Sequence, residues 1–199
     1  MPCWRPARDL ELVQIVDAAL DDAARRAGEW LVCRPGCTQC CVGAFAINAL
    51  DGARLRDGLA LLKRRDPDRA DRVQLRARAY IDRITPQFPG DPESGILDES
   101  EQGQARFLDF ADEEVCPALD AESGTCDLYQ FRPMTCRVFG PPVRNEGGGL
   151  GVCELCFHGA RQEDIVGCEM KPDPEHLEDA LLTELGDTSK TLVAFALAK

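Results

Sequence analysis

The sequence predicts a mainly α fold: a small helical domain with an irregular, cysteine-rich centre. Three observations carry this. Apolar residues near both ends recur at the three-and-four spacing of a helix face, the middle of the chain keeps no apolar period, and ten of the eleven cysteines fall into three clusters. With 199 residues and 44% apolar content the chain can build a buried core, which excludes disorder as its main state. We read one domain over 1–199, in which residues 1–85 are helical, 86–103 form an exposed loop, 104–170 form a cysteine-rich centre and 173–198 form C-terminal helices.

Residues 7–28 read as a helix, with Leu12, Ile15, Val16, Ala19, Leu20 and Ala23 on one face and Gly28 as the stop. A second helix runs from Asn48 to Arg65 on the stripe Leu55, Leu59, Leu62, weakened by Gly52 and Gly58. Asp66-Pro67 supplies a cap and first turn for a third, which carries Ala70, Val73, Ala77, Tyr80, Ile81 and Ile84 as far as Pro86. The second and third helices form a hairpin. Residues 86–103, rich in Pro, Gly, Asp, Glu and Ser, read as an exposed loop. From Phe107 to Pro142, turn formers at Pro117, Ser123-Gly124, Pro133 and Gly140 break any period, so this stretch needs something other than a regular core to order it. Asn145–Gly151 is a flexible turn. Asp173-Pro174 caps a helix bearing Leu177, Ala180, Leu181 and Leu185, and Thr188 or Ser189 caps a final helix to Ala198.

Charge and hydropathy narrow the partners. The net charge of −12 argues against non-specific affinity for nucleic acid or anionic lipid. Residues 54–83 nevertheless hold ten basic side chains against five acids, and residues 91–127 hold twelve acids against Arg106 alone. The two stretches are either solvated faces that attract one another or, for the basic one, a docking face for an acidic protein partner or protein substrate. The apolar run Leu192–Ala198 is far shorter than the roughly 20 residues that cross a bilayer. Acids stand near the N-terminus where a secretory leader would place its apolar stretch, so we expect a cytoplasmic protein with no leader and no membrane association. In a reducing compartment, clustered thiols hold metals or do redox chemistry more often than they form disulfides.

The first cluster, Cys33-Arg-Pro-Gly-Cys37-Thr-Gln-Cys40-Cys41, aims several thiols at one region from a few turns of backbone, as zinc and iron–sulfur sites require. Arg34, Pro35, Gly36, Thr38 and Gln39 offer no apolar context for burying these cysteines as ordinary core. Neighbouring side chains diverge on a helix or strand, so Cys40 and Cys41 reach two irons of one cluster, or separate sites, more easily than one small ion. The triplet also has the spacing of radical S-adenosylmethionine enzymes. Gln39 stands where those carry an aromatic residue, and the chain lacks their alternating strands and helices. Ten clustered cysteines exceed the four ligands of one zinc or one cluster, which predicts two sites or one site and a reactive thiol pair. The third cluster, Cys153-Glu-Leu-Cys156-Phe-His158, is one residue removed from a haem-attachment motif; with Cys168 it reads as a half-site short of one ligand.

The second cluster places Cys116-Pro117 with Leu119, Gly124 before Cys126, then Tyr129, Arg132-Pro133 and Cys136-Arg137 followed by Phe139. Together with the CC-terminated first cluster this resembles the YkgJ-like cysteine-cluster family, with its CxxCxxCC signature, from about Cys33 to Phe139. The resemblance implies a zinc- or iron-chelating domain and no particular reaction. A flagellin lysine methylase is similar at the same motif, which raises protein modification as a use. This chain departs from the family pattern in spacing Cys33 and Cys37 by three residues.

We therefore expect a metal-binding centre of Cys33, Cys37, Cys40, Cys41, Cys116, Cys126, Cys136, Cys153, Cys156 and Cys168, with Tyr129, Arg132 and Arg137 contacting the cofactor. The two arginines either offset thiolate charge or pair with acids in 109–122. The expected cofactor is an iron–sulfur (4Fe-4S) cluster serving a redox or protein-modifying enzyme; zinc in a structural or interaction module is the alternative. The first two clusters are expected to build one site, through Cys37, Cys40, Cys41 and thiols of 116–136, and the third cluster another, with His158 or water as its missing ligand.

Overall fold

The computed structural model describes residues 5–145 and 147–198. Cys3 and the rest of residues 1–4 of the N-terminal reading lie outside them, as does residue 146 of the glycine-rich turn. Among the described residues the helices are α1 (Asp9–Ala27), α2 (Ala49–Arg65), α3 (Pro67–Ile84), α4 (Glu101–Phe107), α5 (Met134–Val138), α6 (Gln162–Gly167), α7 (Leu177–Leu185) and α8 (Val193–Ala198). Three antiparallel ribbons join them: β1 (Gly90–Asp91) with β2 (Ile96–Leu97), β3 (Leu119–Asp120) with β4 (Thr125–Cys126), and β5 (Val143–Arg144) with β6 (Leu150–Gly151). The chain is mainly helical, and no helix among the described residues is long and apolar enough to cross a membrane. It divides into two compact units, one of Met1–Arg5, Gly36–Pro133 and Gly186–Lys199, the other of Pro6–Pro35 and Met134–Leu185.

In the first unit α2, α3 and α8 pack together. The side chain of Asn48 accepts from the Asp51 amide at 3.0 Å and starts α2; Asp66 accepts from the Arg69 amide at 3.0 Å and starts α3, with Pro67 in its first turn. Leu55 and Leu59 meet Ala70, Val73 and Ala77 across the hairpin, and Ala196 and Leu197 of α8 complete the core. Gly58 is a requirement there: a Cβ on it would stand 2.5 Å from the Phe131 ring.

Three expectations change in this unit. Residues 86–103 are not simply an exposed loop, because Phe88 and Leu97 are buried with Phe110 and Phe195, and the Phe88 and Phe195 rings lie 5.0 Å apart. The stretch also holds the β1–β2 ribbon and the start of α4, whose cap is Ser100, accepting from the Gly103 amide at 3.2 Å. The final helix is not capped by Thr188 or Ser189. Thr191 exchanges backbone hydrogen bonds of 2.8 and 2.9 Å with Ile47, so the chain is extended there and turns helical only at Val193. Finally, Ala118 and Leu128 of the aperiodic centre are buried in the helical core, so packing orders this stretch as well.

In the second unit α1 packs on α5 and α7. It ends at Gly28, whose positive φ of +53° a glycine adopts without steric cost. Asp173 accepts from the amides of Leu177 and Glu178 at 2.9 and 2.8 Å, which places the cap of α7 as the sequence predicts. The short helix α6 was not expected; six residues show no periodicity. A small buried cluster comprises Ala27, Cys153, Cys156, Phe157 and Cys168, with Leu31, Ala160 and Ile165 against it.

Candidate metal centre

In the first unit, the 3-10 turn Gln39–Cys41 closes on a hydrogen bond from the Cys41 amide to the Thr38 carbonyl at 2.8 Å. The chain then pairs with the segment before Pro117. The Gly43 amide donates to the Glu114 carbonyl (2.9 Å), and the Cys116 amide donates to the Cys41 carbonyl (2.8 Å). From Cys116 the chain enters the β3–β4 ribbon, where Leu119 lies opposite Cys126 and Gly124 makes the turn at φ +65°. Cys37, Cys40, Cys41, Cys116 and Cys126 all belong to this unit.

Electrostatics tie four of them together. Cys41 donates a hydrogen bond to Cys40, which lowers the Cys40 pKa, with further help from the charge of Arg132; Cys41 is correspondingly pushed up. Cys41 is raised further by Cys116 and Cys126; Cys116 is itself raised first by burial and then by the charge of Cys126 and Cys40, and Cys126 first by burial and then by the charge of Asp127 and Cys40. Unpaired thiolates in such surroundings are costly, and a thiophilic cation relieves that cost.

The basic face of α3 clamps this arrangement. Arg69 and Arg76 both donate to the carboxylate of Asp127, directly after Cys126, and the Arg76 side chain also donates to the Pro117 carbonyl at 2.9 Å. The Asp127 side chain is 1% exposed. Arg83 holds Glu114 at 2.7 Å, two residues before Cys116. The basic and acidic stretches therefore pair with each other at both ends of the cysteine segment. Sequence reasoning missed Asp127, Arg69 and Arg76 as site residues, although the seven-residue spacing of the arginines on one helix face and the adjacency of Asp127 to Cys126 were available signals.

Arg132 lies with its guanidinium 4.1 Å from the centre of the Tyr129 ring and donates to the Tyr129 carbonyl at 3.0 Å. It is buried, whereas Tyr129 is exposed. Arg137 belongs to the second unit and holds Asp17 of α1 at 2.6 and 2.8 Å, so its acidic partner comes from outside the stretch 109–122. Cys136, on α5, also belongs to the second unit, as do Cys33, Cys153, Cys156 and Cys168. His158 is exposed while the last three of those cysteines are buried.

Among the described residues, no three Cys, His, Asp or Glu side chains already form a group that could hold a metal ion. The donor chemistry nonetheless fits a thiophilic metal. A set of thiols, half-buried against an apolar core and bearing lowered and raised pKa values, is a set for zinc or iron rather than for an oxygen-seeking cation. Comparison with known proteins agrees with the donor set. The family model described as "CxxCxxCC: Putative zinc- or iron-chelating domain" matches residues 32–156. No curated protein and no solved structure matches the chain.

Proposed function

Because the chain belongs to the CxxCxxCC family of zinc- or iron-chelating domains, we propose that its first unit holds an iron–sulfur cluster in a redox or protein-modifying role. The observation that supports this is the backbone pairing of the two motifs: the Cys116 amide donates to the Cys41 carbonyl at 2.8 Å, beside Cys40, and the ribbon that follows brings Cys126 opposite Leu119. Among the described residues Cys37 is the fifth thiol of the unit, so the ligands are drawn from five candidates. Bound there, a cluster supplies one-electron chemistry. The chain's own residues supply the rest. Arg132 places positive charge beside Cys40, the Arg69–Asp127–Arg76 clamp fixes Cys126, and the backbone pairing of Cys41 with Cys116 fixes the distance between the two motifs.

Protein purified without oxygen is expected to be brown, to contain iron and acid-labile sulfide, and to bleach reversibly with dithionite. Cys40→Ser or Cys116→Ser should abolish the visible absorption; Cys156→Ser should leave it. A colourless protein with stoichiometric zinc and no iron would overturn the cluster and put a structural zinc module in its place. A protein-modifying role makes a further demand: crosslinking in lysate should trap a protein substrate whose capture is lost in Cys40→Ser.

A further inference from the structure

We propose that the surface over Val42 and Val115 docks an extended segment of another protein, one that mixes apolar residues with lysine or arginine. The inference goes beyond the cluster proposed for the first unit and does not depend on which metal the cysteines hold.

Two backbone hydrogen bonds hold this surface. The Gly43 amide donates to the Glu114 carbonyl and the Cys116 amide to the Cys41 carbonyl; between these bonds Val42 lies opposite Val115. In an antiparallel pairing that is a non-hydrogen-bonded position, where the two side chains stand closest and on one face. Each valine is 46% exposed, so the face they share is turned to solvent. The same position points the backbone groups of each residue away from the opposite strand. The Gln39 carbonyl accepts from the Val42 amide at 3.4 Å, whereas the Val115 amide and carbonyl make no hydrogen bond among the described residues. Side chain and backbone at Val115 both offer contacts that an added extended segment satisfies.

Charge complementarity identifies the partner. Asp109, Asp112 and Glu113 lead up to Val115, all three are exposed, and none has a cation partner among the described residues. The basic face of α3 does not neutralise them, because Arg69 and Arg76 are engaged by Asp127 and Arg83 by Glu114. Ala111, left-handed at φ +56°, turns the chain from the buried Phe110 toward these acids, and the Glu114 amide closes the turn on the Ala111 carbonyl at 3.1 Å. A Cβ on Gly43 would stand 3.4 Å from the Asp112 carbonyl oxygen, so the acidic loop lies along the strand that carries Val42. Leu108, 78% exposed, adds an apolar side chain to that loop. An apolar patch with an acidic rim is complementary to an apolar segment that carries cations; the same carboxylates repel nucleic acid and acidic proteins. A segment seated there lies directly beside Cys41 and Cys116.

The probe is a fluorescent peptide of about twelve alternating lysine and valine residues, long enough to run past the valine pair on both sides. It is titrated with the full chain purified without oxygen and followed by anisotropy; iron content and visible absorption are read on the same samples, so the cluster and the docking surface stand or fall separately. The peptide should bind, its glutamate-for-lysine counterpart should not, and its serine-for-valine counterpart should bind about tenfold more weakly. Val115→Ser should weaken binding about fivefold, and Asp109→Asn with Asp112→Asn and Glu113→Gln about tenfold. Asp21→Asn with Glu93→Gln and Glu122→Gln removes as much charge from other exposed positions and should leave binding unchanged. In the wild type, bound peptide should slow amide hydrogen exchange within 41–43 and 109–116, a readout that needs no variant to fold. Absence of binding, equal losses in the two triple variants, indifference to Val115→Ser, or protection confined to other segments would overturn the surface.

Discussion

At the residue scale, the decisive side chain of the first unit is a carboxylate. The Asp127 carboxylate side chain is 1% exposed and answers two arginines, one of which also holds the carbonyl next to Cys116. Asp127→Ala would leave Arg69 and Arg76 facing each other without their counter-charge. Thermal unfolding should show a loss of about 2–3 kcal/mol, less than for fully enclosed ions because the arginines are about a third exposed. Metal content should fall with it, since the clamp fixes the residue after Cys126. Arg132 acts differently: removing its charge from beside Cys40 should leave metal bound but move the reduction potential of the first unit downward in Arg132→Gln, because the positive charge favours the more reduced, more negative state. An unchanged potential measured by redox titration would show that stacking on Tyr129 is its whole role. The ten clustered thiols were legible in the sequence because their spacing is short. Their division between two units was not, since Cys33 and Cys37 are four positions apart and yet belong to different units. Sequence proximity reports reach, and three residues of backbone are enough to leave one unit for another.

At the element scale, Gly58 separates helix propensity from packing. A glycine-to-alanine change inside a helix ordinarily gains about 1 kcal/mol. At Gly58 the new methyl would overlap the Phe131 ring, so Gly58→Ala should lower the melting temperature, an overpacking loss of about 1–3 kcal/mol, and disturb the turn that carries Tyr129 and Arg132. At Gly52 the nearest atom is the end of the flexible Arg56 side chain, at 3.2 Å, so Gly52→Ala should be neutral or stabilising. Equal effects at both positions would remove the packing argument. The three long helices were readable because each has a cap residue or a glycine stop and an apolar stripe. The ribbons, α4 and α6 were not, because two to seven residues cannot display a period, and their positions depend on partners far along the chain, such as Thr191 for Ile47.

At the scale of the whole molecule, the two units should respond differently to metal removal. The first has an extended apolar core in α2, α3 and α8 whose buried members include no cysteine, whereas thiols make up most of the small buried cluster around Cys153 in the second. Chelation under reducing conditions should therefore expose the segment 150–170 to protease before the segment 107–130, while circular dichroism keeps most of its helical signal. Simultaneous cleavage of both segments would show that one metal-dependent structure holds them together. The placing of α8 has a consequence for synthesis. Leu197 is fully buried in the core against which Cys116 and Cys126 pack, yet it leaves the ribosome after every thiol of both units. At translation rates of about 5–20 residues per second, Cys116 waits on the order of ten seconds, unsheltered, for the helix that completes its surroundings. During that interval the nascent thiols depend on the reducing power of the cell, so an oxidative pulse should damage newly made chains and spare finished ones.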